Sequence, residues 1–130
     1  MHVVVLEDNP DDQVLAHHTL RRLIKEPVIT ACKNGNQLVM LLIRNAVTPD
    51  LFIIDHDLAG GIGFKGVDVV RCIRQLPKYR AVPIIYFTSH PAWMLEEEAI
   101  KSGVSEYVEK THDHGINLVR LKSAMKKYVL

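Results

Sequence analysis

The sequence predicts an α/β domain built on an open, mainly parallel sheet, and three observations carry that prediction. Strand-like and helix-like segments alternate from end to end, the order in which a chain lays helices over a parallel sheet. Several strand candidates are unbroken apolar runs, as expected where helices cover both faces of the sheet. Four runs end in polar groups. Val3-Val4-Val5-Leu6 ends in Glu7-Asp8, Leu51-Phe52-Ile53-Ile54 in Asp55, Pro83-Ile84-Ile85-Tyr86-Phe87 in Thr88-Ser89, and Glu106-Tyr107-Val108-Glu109 in Lys110. Parallel strands present their carboxyl ends along one edge, where ligands of open α/β sheets bind. Positions far apart in the chain are therefore expected to form one site.

The first strand is expected at His2–Leu6. Asn9-Pro10-Asp11-Asp12 then offers an N-cap, a proline at the first helical position and acids in the first turn, followed by Ala16, Leu20, Leu23 and Ile24 at helical spacing. A second strand follows at Val28–Cys32, then a helix over Gly35–Asn45 with Leu38, Leu41 and Leu42 on one face. The third strand is Leu51–Ile54, with a helix at Val67–Leu76 displaying Val70 and Ile73. The fourth strand is Pro83–Phe87, and the helix Pro91–Ser102 carries Ala92, Leu95 and Ala99 inward and stops at Gly103. A fifth strand at Glu106–Val108 and a helix at Asn117–Tyr128, with Leu118, Leu121, Met125 and Tyr128, complete five βα units. Trp93 falls off the inward stripe of its helix and is expected to be partly exposed. Its plainer role is packing against Ile100.

A length of 130 residues suits one domain, spanning 1–130. With 48% apolar and 24% charged residues the composition argues against disorder, and a net charge of +1 implies no general attraction to nucleic acid or membrane. Cys32 and Cys72 stand apart without zinc-like or CxxC spacing and read as reduced thiols. No basic leader and no long apolar stretch are present, so a cytoplasmic protein is expected.

The polar groups at the strand ends suit phosphoryl transfer to a carboxylate. Asp55 can act as a nucleophile toward phosphorus, provided that its repulsion of the incoming group is reduced. Mg2+, with Mn2+ as a substitute, favours one or two carboxylates with water and phosphate oxygens, and Glu7 and Asp8 can supply them beside Asp55. Lys110 can balance charge on the phosphoryl oxygens, and the Thr88 hydroxyl can donate a hydrogen bond to one. Without metal, clustered carboxylates should take up a proton or lean on Lys110. Taken singly, each residue has a plainer role: a turn or N-cap acid, a helix cap, a solvated lysine.

Taken together, LEDNPDD (Leu6–Asp12), DLFIIDHDL (Asp50–Leu58), VPIIYFTSH (Val82–His90) and GVSEYVEK (Gly103–Lys110) resemble the receiver domain of two-component response regulators over essentially the whole chain. The resemblance implies a flavodoxin-like five-stranded sheet of order 2-1-3-4-5. It implies that Asp55 accepts a phosphoryl group from a histidine kinase or a phosphotransfer protein, with Asp8 the closer metal ligand, Glu7 acting through water and Asp57 giving its backbone carbonyl. It implies that Thr88 and Tyr107 switch with Lys110, that Ser89 keeps access open, and that the 91–128 face reads out to a downstream target protein or a homodimer. By the same resemblance, Asp57 and His90 would hold positions that in receivers affect the lifetime of an aspartyl-phosphate. The chain departs from the family pattern in the longer glycine-rich segment 59–66 beside the acceptor, expected to be mobile or partner-specific, and in Thr111 where proline usually follows the lysine.

The expected protein is a stand-alone phosphoacceptor, not a turnover enzyme. A receiver-like module that binds partners without phosphorylation is the alternative from another class. Asp55-His56-Asp57-Leu58 also resembles the start of the haloacid-dehalogenase phosphatase motif, but that family needs a further acidic pair after the lysine, whereas here Glu7-Asp8 precede it and only Asp113 follows. Gly61-Ile62-Gly63-Phe64-Lys65-Gly66 matches GxGxxG yet does not directly follow a strand, so it reads as accidental. His112-Asp113-His114 reads as a polar loop before the last helix, and His17-His18 as a half-exposed helix face.

Overall fold

In a computed structural model, which describes residues 1–58 and 65–130, five parallel strands form one sheet in the order β2-β1-β3-β4-β5. They are β1 (His2–Leu6), β2 (Val28–Cys32), β3 (Leu51–Ile54), β4 (Ile84–Thr88) and β5 (Glu106–Glu109), alternating with α1 (Pro10–Leu23), α2 (Gly35–Ile43), α3 (Gly66–Gln75), α4 (Ala92–Ser102) and α5 (His114–Tyr128). The glycine-rich segment expected beside Asp55 lies, for residues 59–64, outside the described residues.

The side-chain alternation of the strands divides the interior into two layers. Val4, Leu6, Phe52, Ile54, Ile84 and Tyr86 face α2, α3 and α4, where they meet Leu38, Leu42, Val70, Ile73, Leu95 and Ala99. Val3, Val5, Leu51, Ile53, Ile85 and Phe87 face α1 and α5, against Ala16, Leu20, Leu121, Ala124 and Met125. Because β1, β3 and β4 are buried on both faces, their sequences are runs rather than alternations.

Several boundaries differ from the expected ones for local reasons. The fourth strand runs one residue later than Pro83–Phe87: Pro83 has no N–H for the ladder, and Thr88 pairs with Glu109, which also lengthens β5. The second helix stops at Ile43, two residues short, ahead of Asn45 at φ 53°. The third starts one residue earlier at Gly66, where the Asp68 carboxylate accepts the Lys65 N–H at 2.8 Å. The last helix begins three residues earlier than expected, at His114, because Asp113 caps it by accepting the Ile116 N–H at 3.1 Å. His112-Asp113-His114 is thus a cap and a first turn, with all three residues exposed. Tyr128, expected on the buried stripe of α5, is 42% exposed and donates to the Ser105 carbonyl, while Asn117 and Ala124 take buried places.

Gly66 is needed for close approach. Its N–H donates to the His56 carbonyl at 2.9 Å, and a methyl group on its Cα would run into the Asp55 carbonyl oxygen and the Tyr86 hydroxyl. Gly66→Ala is therefore expected to cost about 2–3 kcal/mol of stability, read as a lower midpoint in urea unfolding. An unchanged midpoint would show that this junction relaxes freely.

Candidate functional site

Main-chain hydrogen bonds one step beyond the strand ladders bring the polar ends together. Asp55 N–H donates to the Leu6 carbonyl at 3.0 Å and Lys110 N–H to the Thr88 carbonyl at 2.7 Å. Glu7, Asp8 and Asp55 each offer a carboxylate oxygen, and these atoms lie within 4.8 Å of one another. Lys110 reaches into the group: its Nζ is 3.2 Å from Glu7 Oε2, 3.7 Å from Asp55 Oδ2 and 3.7 Å from Asp12 Oδ2. The ammonium also stands 5.2 Å from the centre of the Phe87 ring, which shields one side.

This cluster holds more acid than one lysine can balance. Burial pushes the Glu7 carboxyl up to about 8, helped by the hydrogen bond and the charge of Asp55, and Lys110 and the Asn9 N–H only partly offset this. Burial alone would lower Lys110, but Asp55, Glu7 and Asp12 outweigh it and hold the ammonium above its ordinary range. The 3.2 Å contact by itself would suggest a simple Glu7–Lys110 ion pair. The deep burial of Glu7 and its carboxylate neighbour favour the protonated acid instead, with Lys110 serving the charge that remains. Lys110 lies within 3.2 Å of Glu7 and 3.7 Å of Asp55, and the raised Glu7 carboxyl favours holding a proton as well.

The remaining expected residues divide. Thr88 is fully buried at the end of β4, and its Oγ1 accepts the His90 N–H at 3.3 Å. Ser89 is exposed. The Tyr107 hydroxyl donates to the His90 carbonyl at 2.8 Å, and burial, followed by the charge of Glu109, pushes it up to about 12, so it stays a donor. The Asp57 side chain does not join Glu7, Asp8 and Asp55; it turns outward to His90 Nε2 at 2.6 Å and Lys65 Nζ at 3.6 Å. That orientation leaves only its backbone carbonyl for the acidic group. Burial alone would raise Asp57, yet His90, His56 and Lys65 hold it below the usual carboxylate range.

Some supporting residues were not expected from the sequence. Asp12, read as a first-turn acid of α1, is a third carboxylate on Lys110. Gln13 donates from Nε2 to the Glu7 carbonyl at 2.5 Å. Asn117 is buried and grips the segment after the lysine: its Oδ1 accepts the Thr111 N–H at 2.7 Å and its Nδ2 donates to the Thr111 carbonyl at 2.9 Å. This clamp orders the loop in which proline is replaced, and no cis peptide bond occurs among the described residues. Read from the sequence as the first residue of the last helix, Asn117 gave no signal of this role; only the fold shows what it faces.

On the other flank, His56 Nδ1 lies 2.7 Å from the hydroxyl of the fully buried Tyr86. Burial holds the His56 imidazole below its ordinary range, and burial likewise pushes the Tyr86 phenol upward, followed by the Asp55 charge.

The family described as response regulator receiver domain matches the chain over residues 3–121. Among curated proteins, the 14.6 kDa protein of the sodA1 3′ region of Leptolyngbya boryana is 28% identical over 123 residues, covering 93% of this chain and 86% of that one. Two further relatives are longer, and the chain spans 26% and 50% of their length. Among solved structures, the phosphorylated cyanobacterial phytochrome response regulator RcpA superposes with a TM-score of 0.82 at 19% identity, covering 98% of this chain and 93% of that one. The receiver domain of the sensor histidine kinase PA1611 of Pseudomonas aeruginosa PAO1, solved with magnesium coordinated in its active-site cleft, superposes with a TM-score of 0.78 at 25% identity, covering 98% and 95%.

Proposed function

The chain belongs to the response regulator receiver domain family, and on that premise we propose that Asp55 is its phosphoacceptor, taking a phosphoryl group from a histidine kinase or a phosphotransfer protein. The observation that carries this reading is the convergence of Glu7, Asp8 and Asp55 within 4.8 Å, with Lys110 Nζ 3.7 Å from the Asp55 carboxylate. An Asp55 oxygen forms the bond to phosphorus as the bond to the donor's leaving group breaks. Lys110 stabilises negative charge on the transferred oxygens, and Thr88 offers a hydroxyl once it turns from the His90 amide.

The donor set fits a hard divalent cation: all-oxygen ligands, clustered closely enough that burial and mutual repulsion raise Glu7 to about 8. Asp8 and Asp55, the Asp57 backbone carbonyl and Glu7 through water would hold Mg2+ or Mn2+, which supplies charge neutralisation at the phosphoryl oxygens. The family is one of signalling domains, and this chain is read as accepting and losing phosphate rather than turning over a substrate. No helix among the described residues is long and apolar enough to cross a membrane. Incubation with acetyl phosphate and Mg2+ is expected to add one phosphoryl group by intact mass. No adduct under those conditions would favour a phosphorylation-independent binding module.

Output is assigned to the 91–128 face. Trp93, expected to be partly exposed, is 84% exposed on α4, with Met94 and Ile100 exposed on the same helix. A groove of about 480 Å³ opens beside it, lined by Ala92, Tyr107, Glu109, Val119, Arg120 and Lys127. Tyr107 thus touches both the switch contact at His90 and the output surface. Trp93→Ala is expected to weaken association of the phosphorylated chain, with itself or with a target protein, in sedimentation or binding assays, while uptake of phosphate persists. Unchanged association would move the output surface elsewhere.

A further inference from the structure

A second group of ligating side chains lies beside the acidic one and differs from it in chemistry. His56 and Asp57 follow β3, His90 follows β4, and each offers one ligand atom, all within 4.8 Å of one another. We propose that His56, Asp57 and His90 form a site for a divalent transition-metal ion of the zinc class, bridging the two loops at the carboxyl edge of the sheet.

The donor set points to that class. Two imidazoles and one carboxylate suit Zn2+, Ni2+ or Cu2+, whereas Mg2+ favours the all-oxygen group next to it. The spacing fits as well. Ligand atoms around a tetrahedral zinc ion stand roughly 3.4 Å apart, from metal–ligand bonds of about 2.1 Å. Here His90 Nε2 and Asp57 Oδ2 are 2.6 Å apart, and the widest separation in the group is within 4.8 Å. Small side-chain movements therefore open the short contact and close the long one. The ion takes the place of the proton shared between His90 and Asp57.

One ligand is already oriented. The buried Tyr86 hydroxyl engages His56 Nδ1 at 2.7 Å, so Nε2 is the nitrogen assigned to the ion, and the His56 and His90 rings meet edge to face at 4.9 Å between centres. A hydrogen bond to the non-ligating nitrogen is the usual support of a metal-bound histidine. Among the described residues access is open, because Asp57 is exposed and both histidines are half-buried. Among those residues the cation beside Asp57 is Lys65, 3.6 Å away; its side chain is 53% exposed and can withdraw into solvent. An ion held here would fasten His90, whose carbonyl accepts the Tyr107 hydroxyl.

The test is a titration of the purified chain, saturated with Mg2+, with Zn2+ by calorimetry and with Co2+ by its visible absorption. One ion per chain is expected. His90→Gln and Asp57→Asn should each raise the Kd at least about tenfold, and Asp8→Asn should leave it where it was. His56→Gln should act in the same direction, but His56 touches the core, so the two more exposed variants, with folding checked by circular dichroism, decide the matter. A Kd weaker than about 1 mM would overturn the proposal, as would one unchanged in His90→Gln, which places the ion on other histidines. So would one lost in Asp8→Asn, which places it among the carboxylates. None of these readouts depends on phosphorylation, so failure here leaves the reading of Asp55 standing.

Discussion

Asp55→Asn is expected to abolish phosphoryl uptake from acetyl phosphate, leaving the intact mass unchanged under conditions where the natural chain gains one phosphoryl group. The amide is nearly the same size as the carboxylate, and its oxygen can still accept the His56 N–H, a contact of 2.7 Å from Asp55 Oδ1. It lacks the ionised oxygen that attacks phosphorus. The substitution also removes a negative charge from beside Glu7, whose carboxyl is raised to about 8 first by burial and then by the hydrogen bond and charge of Asp55. The metal-free variant should therefore be at least as stable as the natural chain in thermal unfolding. These two readouts separate loss of chemistry from loss of fold. A variant that gained the phosphoryl mass at the natural rate would show that another residue is the acceptor.

The second large effect joins pH, stability and the divalent cation. Glu7 is raised to about 8 in the folded protein from an ordinary value of 4.5, so between those values the folded chain binds more protons than the unfolded one. Stability then falls as pH rises through that range, the reverse of the usual carboxylate case. His56 acts in the opposite sense below its ordinary value of 6.5, because its lowered folded value costs stability as the solution becomes acidic. Asp57, ordinary value 3.8, contributes only on the acidic side, and Cys32, ordinary value 9.0 and raised to about 11, only on the alkaline side. Among the described groups with shifted values, Glu7 therefore dominates from about pH 6.5 to 8. Without metal the protein should lose stability over that span, by roughly 2 kcal/mol at most. A bound cation replaces the proton, so Mg2+ should raise the midpoint more at pH 8 than at pH 6.5 and flatten the profile. Thermal unfolding with and without Mg2+ measures both slopes. If Glu7→Gln kept the metal-free decline, the assignment to Glu7 would fall.

Much of the site was legible from where strands end. Runs such as Leu51–Ile54 are long enough to be recognised as buried strands, and the polar residue that follows each run must emerge at the same edge of a parallel sheet. That rule brings Glu7, Asp8, Asp55, Thr88 and Lys110 together from the sequence alone. Helix ends were less legible because single contacts set them: the Asp113 cap starts α5 at His114, three residues ahead of the expected Asn117, and Asn45 in the left-handed region ended α2 early. Tyr128 shows the limit of periodicity, since it shares the spacing of a buried face yet lies beyond the sheet that would cover it.

By itself, the sequence determined the alternation of strands and helices, the two-faced burial of the central strands and the identity of the residues at the sheet's carboxyl edge, because these follow from local periodicity and strand polarity. Tertiary structure alone decided where the protons and contacts go. Glu7 meets Lys110 across 103 positions, His56 meets Tyr86 across 30, and Asp57 meets His90 across 33. Burial and repulsion at Glu7 and the outward turn of Asp57 arise from packing between such distant segments, and no local pattern encodes them.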